Sequence, residues 1–253
     1  MLANFKILDV NISDTNIEQV CAQIDANIRQ RQRGYVCVAP VSTVVSCQED
    51  AAYKQVVNHA QIVTPDGMPI VWLGRMRGRK HIKRTYGPDL MLAVCDKGQA
   101  RGYRHYLLGA TRQTCSRLVS KLKERFPAIQ IVGVDCPPFR DLTPEEDLRQ
   151  IETINAAQPD IVWVGLGSPK QDFWMYRNQQ RIHAPVMLGV GAAFDFLSGV
   201  KRQAPRWMQC CGLEWFFRLC SEPRRLWRRY LIGNTKFIFF LLREVIQKIG
   251  KPA

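Results

Sequence analysis

The chain has no run of about 20 apolar residues, the length needed to cross a bilayer. Its most apolar C-terminal stretch, residues 237–242, is far shorter. Nine cysteines are present but no CxxC pair, and the four histidines, His59, His81, His105 and His183, stand at no zinc-ligand spacing. A structural metal site is therefore not expected. Cys37, Cys47 and Cys95 lie in or beside apolar runs, and Met1-Leu2-Ala3-Asn4-Phe5-Lys6 lacks a signal-peptide layout. Both features point to a reducing, cytoplasmic setting with free thiols. GxxxxGK[ST] is missing, and so is GxGxxG followed by an acid about 20 residues on; these absences argue against a P-loop and against a dinucleotide fingerprint. No low-complexity segment or internal repeat stands out.

What is present is a basic, globular composition. Of 253 residues, 46% are hydrophobic, 36 are Lys or Arg and 22 are Asp or Glu, for a net charge of +14. The charge is uneven. Residues 200–253 hold twelve bases against three acids (Glu214, Glu222 and Glu244), a surplus of nine. The body is mildly basic and the tail strongly so, which suits an anionic partner: a membrane surface, a nucleic acid or an anionic substrate.

Most of residues 1–199 alternate β-rich runs with helical stretches. Strands are expected at 35–39, 61–63, 104–108, 129–134, 160–164 and 186–190, and helices at 46–60, 68–74, 112–126 and 143–157. Thr143-Pro144-Glu145-Glu146 is a capping-box signature. Asp160-Ile161-Val162-Trp163-Val164 is nearly all apolar, as in a strand covered on both faces. The alternation predicts a largely parallel α/β sheet, whose ligands bind beyond the carboxyl ends of its strands.

The chemistry-bearing segments fall there. In Thr64-Pro65-Asp66-Gly67-Met68-Pro69, Asp66 sits at a strand-to-helix turn, where it can be a general base or a helix cap. In Arg84-Thr85-Tyr86-Gly87-Pro88-Asp89-Leu90, Arg84 can clamp a phosphate and Asp89 can cap the next helix. Gly165-Leu166-Gly167-Ser168-Pro169-Lys170-Gln171 is either a tight turn or an anion cradle at a helix N-terminus. In the tail, aromatics and arginines interleave from Gly212 to Leu231; this pattern suits a basic amphipathic helix in a membrane interface, an ordinary packed C-terminal helix pair or a nucleic-acid-binding face.

Together and in this order, these segments resemble the WecG/TagA/CpsF family of bacterial glycosyltransferases. Gly189-Val190-Gly191-Ala192-Ala193-Phe194-Asp195, Gly212-Leu213-Glu214-Trp215 and Glu222-Pro223-Arg224-Arg225-Leu226 complete the resemblance, which covers nearly the whole chain. It implies a Rossmann-like α/β catalytic core at residues 1–199 and a helical, basic, membrane-associating appendage at 200–253. The implied enzyme is inverting. It moves a sugar such as N-acetylmannosamine or glucose from a UDP-sugar to a polyprenyl-diphosphate-linked sugar, in exopolysaccharide, teichoic acid or surface-glycan synthesis.

By that resemblance Asp66 is the catalytic base. Thr64, Arg84, Gly109, Gly165, Gly167, Lys170 and Gln171 meet substrate, and Arg218, Arg225 and Arg228 meet the lipid diphosphate. Two departures stand out. The Thr and Asn that many members place after the strand at 35–39 are not in register here, and the acid after Pro169-Lys170-Gln171 is Asp172, not Glu.

A single base suits inverting transfer, which forms no covalent intermediate. With no DxD motif, the transfer is expected to need no metal or other cofactor. The enzyme would sit at the inner face of the cell membrane, with no nucleic acid as partner; a homo-oligomer is compatible with the sequence. Two competing functions are a nucleotide-cofactor oxidoreductase, which lacks its fingerprint, and a non-enzymatic membrane-surface binding protein, which would not need polar turns after so many strands.

Overall fold

The computed structural model describes residues 2–249. Met1 of the N-terminal stretch and residues 250–253, with Lys251 of the basic tail, lie outside the described residues, as do the side chains of Lys248 and Ile249. Strands β1 (Asn4–Ile7) and β2 (Val10–Ser13) form an antiparallel hairpin. Its turn residues Leu8 and Asp9 have φ of 50° and 60°, the left-handed pair that matches strand twist. Helix α1 (Ile17–Gln30) follows, its first turn closed by the Asn16 side chain, which accepts from the Gln19 N–H.

Then come β3 (Gly34–Ala39), α2 (Val41–Glu49), α3 (Ala51–His59), β4 (Ile62–Pro65), α4 (Met68–Met76) and α5 (Gly87–Gln99). The second half of the core runs β5 (Arg104–Gly109), α6 (Arg112–Arg125), β6 (Gln130–Asp135), α7 (Pro144–Ala156), β7 (Ile161–Gly165), α8 (Lys170–Asn178), β8 (Val186–Gly189) and α9 (Ala193–Leu197). β3 to β8 make one parallel sheet in the order β4-β3-β8-β7-β5-β6. This is a Rossmann-like α/β core.

Strand residues alternate between two buried layers. Tyr35, Cys37 and Ala39 pack with α2, α3, α7, α8 and the hairpin, whereas Val36 packs with α1, α5, α6 and α9. Helices cover both faces, which explains the apolar strands. The helices after β5 and β7 leave on opposite faces, so the sheet's direction of winding reverses between Gly109 and Gly165. A Cβ on Gly109, where φ is +127°, would lie 2.6 Å from the Gly165 carbonyl carbon; a Cβ on Gly165 would lie 2.8 Å from the Phe194 ring.

Several expectations need correction. The helix expected over 46–60 is two helices. The first starts directly after Pro40, and the second is restarted by Asp50, whose carboxylate accepts from the Tyr53 N–H. An acid that bonds its own backbone competes with an unbroken helix. The strand expected at 129–134 lies one residue later, and the helix from Met68 runs two residues further, to Met76. The hairpin and α1 were not anticipated.

The tail is helical throughout its ordered elements: α10 (Arg206–Cys210), α11 (Glu214–Ser221), α12 (Pro223–Trp227), a π-helical turn (Arg228–Ile232) and α13 (Gly233–Ile249). It folds back on the core. Leu226 and Phe237 are buried, and Phe237 joins the core layer containing α2. Arg206 pairs with Asp89 at 2.8 Å, Arg77 with Glu244 at 3.1 Å, and Lys236 with Glu49. Asp89 therefore holds the tail, and the N-cap position of α5 belongs to Tyr86. Among the described residues no helix is long and apolar enough to cross a membrane.

Candidate active site

The carboxyl ends of β3 and β4 and the returning tail enclose a cavity of about 620 Å³. Asp66 reaches it directly from the end of β4. Its N–H donates to the Ala39 carbonyl, which continues the β3–β4 ladder, and the chain then turns at Gly67, φ +91°, into α4. Gly67 is the N-cap and no side chain caps α4, so the Asp66 carboxylate is not spent on the helix. Its side chain is 18% exposed, and Arg84 Nε lies 3.5 Å from Oδ1.

Arg84 is held on every side. Its guanidinium lies 4.2 Å from the Tyr86 ring centroid, Nη1 donates to Gln209 Oε1 at 3.1 Å, and Nη2 donates to Glu214 Oε2. Core and tail thus meet in one Asp66–Arg84–Glu214 chain of charges. Burial pushes the Asp66 carboxyl up to about 6; Glu214 adds to the rise, and Arg84, Arg218 and Arg229 oppose it. Asp66 is thus ionised at neutral pH and more basic than a solvated carboxylate, as a proton acceptor requires.

The charged residues around this cavity are Asp66, Glu214, Arg84, Arg218 and Arg229. The surplus is cationic, which favours an anionic ligand. A second cavity of about 400 Å³ adjoins it, sharing Ser42 and Arg229 as walls. Ser168, Arg228, Lys236 and its ion-pair partner Glu49 line this second space, together with Ser42 and Thr43 in the first turn of α2, a helix whose N-terminus has no side-chain cap.

The structure sorts the remaining residues singled out by sequence. Arg218 lines the larger cavity, its guanidinium 5.3 Å from the Phe196 ring centroid, and Arg228 lines the smaller one. Arg225 lines neither; it forms a bidentate pair with Glu222 at 2.5 and 2.7 Å. Thr64 is wholly buried inside β4, with no partner for its hydroxyl. Gly109 and Gly165 are points of close backbone and ring approach. Lys170 turns away, donating to the Arg140 carbonyl at 3.4 Å.

Gln171 is 2% exposed, and its amide is consumed within the protein. Oε1 accepts from the N–H groups of Gly167 at 3.1 Å and Gly191 at 3.0 Å, and Nε2 donates to Ser168 Oγ. In this conformation Gln171 locks together the loops after β7 and β8, while Thr64, Lys170, Gln171 and Arg225 line neither cavity. Asp172, beside it, accepts from the Tyr53 hydroxyl at 2.7 Å and is a buried brace.

Arg229, Gln209 and Tyr230 were not singled out, yet all three line the larger cavity. Arg229 is the tail residue common to both cavities, together with core residue Ser42. The signal for Arg229 was present in Arg224-Arg225-Leu226-Trp227-Arg228-Arg229, where an α-helical phase puts both Arg228 and Arg229 beside Arg225 and does not separate the two. The π-helical turn that begins at Arg228 shifts the facing by part of a turn.

The sequence profile of the Glycosyl transferase WecG/TagA/CpsF family matches residues 5–251. The chain belongs to this family. Among its relatives, an N-acetylglucosaminyldiphosphoundecaprenol N-acetyl-beta-D-mannosaminyltransferase of Bacillus spizizenii is 26% identical over 239 residues, covering 94% of this chain and 90% of the relative. A protein of the same description from Bacillus subtilis is 28% identical over 237 residues, covering 90% of each. The larger cavity of this WecG/TagA/CpsF glycosyltransferase lies where core and tail meet.

Proposed function

We propose that this glycosyltransferase moves a sugar from a UDP-sugar to a polyprenyl-diphosphate-linked sugar at the inner membrane surface, with inversion and with Asp66 as the base. N-acetylmannosamine is the first donor sugar to test and diphospholipid-linked N-acetylglucosamine the first acceptor, because the relatives are named for that transfer. The observation that carries the reading is Asp66 itself: a carboxylate free of capping duty, raised in basicity, on the wall of a cavity whose other charged groups are three arginines and Glu214.

In this reading the acceptor's sugar enters the larger cavity and its hydroxyl gives a proton to Asp66. The donor's diphosphate lies in the smaller cavity, against Arg228, Arg229 and the uncapped first turn of α2. Arg229, shared by both spaces, faces the negative charge that develops on the leaving UDP. Arginines placed so can carry that charge without a metal. Gln171, and through it Gly167, sets the loop that borders the donor space. Arg218 faces the acceptor's diphosphate. Exposed Arg224 and Arg243, among exposed Phe239, Leu242 and Val245, meet anionic headgroups.

Purified protein given UDP-N-acetylmannosamine, or a panel of other UDP-sugars, and a short-chain N-acetylglucosamine-diphospholipid should release UDP and form one β-linked disaccharide lipid, with or without EDTA. No transfer from any donor would refute the reading. Loss of activity in EDTA would refute its metal-independent part.

A further inference from the structure

The larger cavity is two-faced. Its inner end holds Asp66, Arg84, Arg218 and Arg229, but between α4 and α13 its walls become apolar, with Trp72 and Met76 on one side and Leu231, Ile238 and Leu241 on the other. Met76 is 83% exposed at the mouth, and the exposed surface of α13 continues with Leu242, Val245 and Ile246. An apolar cleft that leads out from a cationic end is complementary to an amphiphile with an anionic head and a hydrocarbon chain.

The cleft is fixed in shape. Gly212, at φ +74°, presses on the Trp72 indole: a Cβ there would lie 2.9 Å from the ring and 3.2 Å from Met68 Cβ. Arg77 at the end of α4 pairs with Glu244 of α13 at 3.1 Å, and Lys236 ties the other side of α13 to Glu49. The two helices are therefore held at a set separation along α4, whose nine residues span about 13 Å.

We propose that the α4–α13 cleft binds the first prenyl units of the acceptor lipid, with its diphosphate at Arg218. This rests on the glycosyltransferase reading above and adds a subsite to it. The cleft has a physical purpose. Bringing the acceptor's sugar to Asp66 lifts the diphosphate above the headgroup level and draws the nearest apolar carbons out of the bilayer. Each exposed methylene would oppose that lift, and an apolar wall replaces the lost hydrocarbon contact. The short cleft serves only the proximal units; the rest of the chain stays in the membrane. The three arginines at the inner end outnumber the two carboxylates there, Asp66 and Glu214, which favours an anionic head.

The test is calorimetric binding to the full chain in detergent-free buffer, with inorganic diphosphate, geranyl diphosphate, farnesyl diphosphate and lysophosphatidylglycerol as probes. Affinity should rise about tenfold or more from diphosphate to geranyl and again to farnesyl diphosphate. Trp72→Ala and Ile238→Ser, both at partly exposed positions that should still fold, should each weaken farnesyl diphosphate about tenfold and leave inorganic diphosphate unchanged. Equal affinity at every chain length, or variants that bind farnesyl diphosphate normally, would overturn the proposal. Equally tight lysophosphatidylglycerol would overturn it too, by making the cleft a general acyl site. These binding readouts need no turnover: failure of the chain-length dependence defeats the cleft alone, whereas absent transfer in the assay above defeats the parent reading.

Discussion

Asp66 should leave a signature in both stability and rate. Its carboxyl is pushed up to about 6 in the folded protein, from an ordinary 3.8. The folded state therefore binds this proton more tightly than the unfolded chain, and the group's contribution to stability grows as pH falls through 6 toward 4. Between pH 7.5 and pH 5 the two pKa values give the native protein a gain of about 1.4 kcal/mol from this residue alone. Asp66→Asn cannot make that gain. Urea unfolding of both proteins at the two pH values tests the term, because titrations remote from Asp66 cancel in the difference. The native protein should move by about 1.4 kcal/mol in its own favour at pH 5. The rate should move the opposite way, with kcat/KM losing a factor of ten per pH unit below about 6 as Asp66 takes up its proton. A stability difference that does not change with pH, or an acid limb near 4, would refute the argument from burial.

Three other perturbations follow from the same contacts. Glu214→Gln removes a like charge near Asp66 and loosens the hold on Arg84, so the acid limb of kcat/KM should shift to lower pH; a shift upward would contradict the charge chain. Gln171→Ala strips the acceptor from two loop N–H groups and should cost about 1–3 kcal/mol in thermal or urea unfolding. Gln171→Glu should recover much of that loss, and equal damage from both would show that the bonds to the loops are not what matters. Arg224→Glu with Arg243→Glu, both exposed and outside the cavities, should weaken sedimentation with phosphatidylglycerol vesicles by about 1 kcal/mol or more for each reversal. Unchanged vesicle binding would remove the tail's outer arginines from membrane contact.

The sheet was legible because burial on both faces writes itself as apolar runs such as Ile161-Val162-Trp163-Val164, and because Thr143 and Glu146 spell out a cap. The structure confirms both, including the reciprocal capping box. The break at Asp50 was not legible, since a single Asp within helical periodicity reads equally well as a surface residue. The position of Asp66 at a strand end could be read from the pattern, but its freedom from capping could not. That depends on Gly67 taking the N-cap with a positive φ.

The glycines and Gln171 illustrate a different limit. A Gly-rich turn with a polar residue after it signals a tight loop, but sequence does not say whether the polar group faces a ligand or its own backbone. Here Gln171 faces the backbone. The arginine run was harder still. Its composition announced an anionic partner, but not that Arg225 pairs locally with Glu222 while Arg228 and Arg229 line cavities. Contacts between core and tail, such as Arg84 with Glu214, join residues 130 positions apart and leave no trace in local periodicity.

The central claim is that Asp66 takes the proton from the acceptor hydroxyl. Its most direct test is steady-state turnover of Asp66→Asn with saturating UDP-sugar and lipid-diphosphate acceptor, alongside calorimetric donor binding to the same variant. The account predicts a loss of about 10²–10⁴-fold in kcat with donor affinity nearly unchanged. Turnover within a few-fold of the native protein would contradict it.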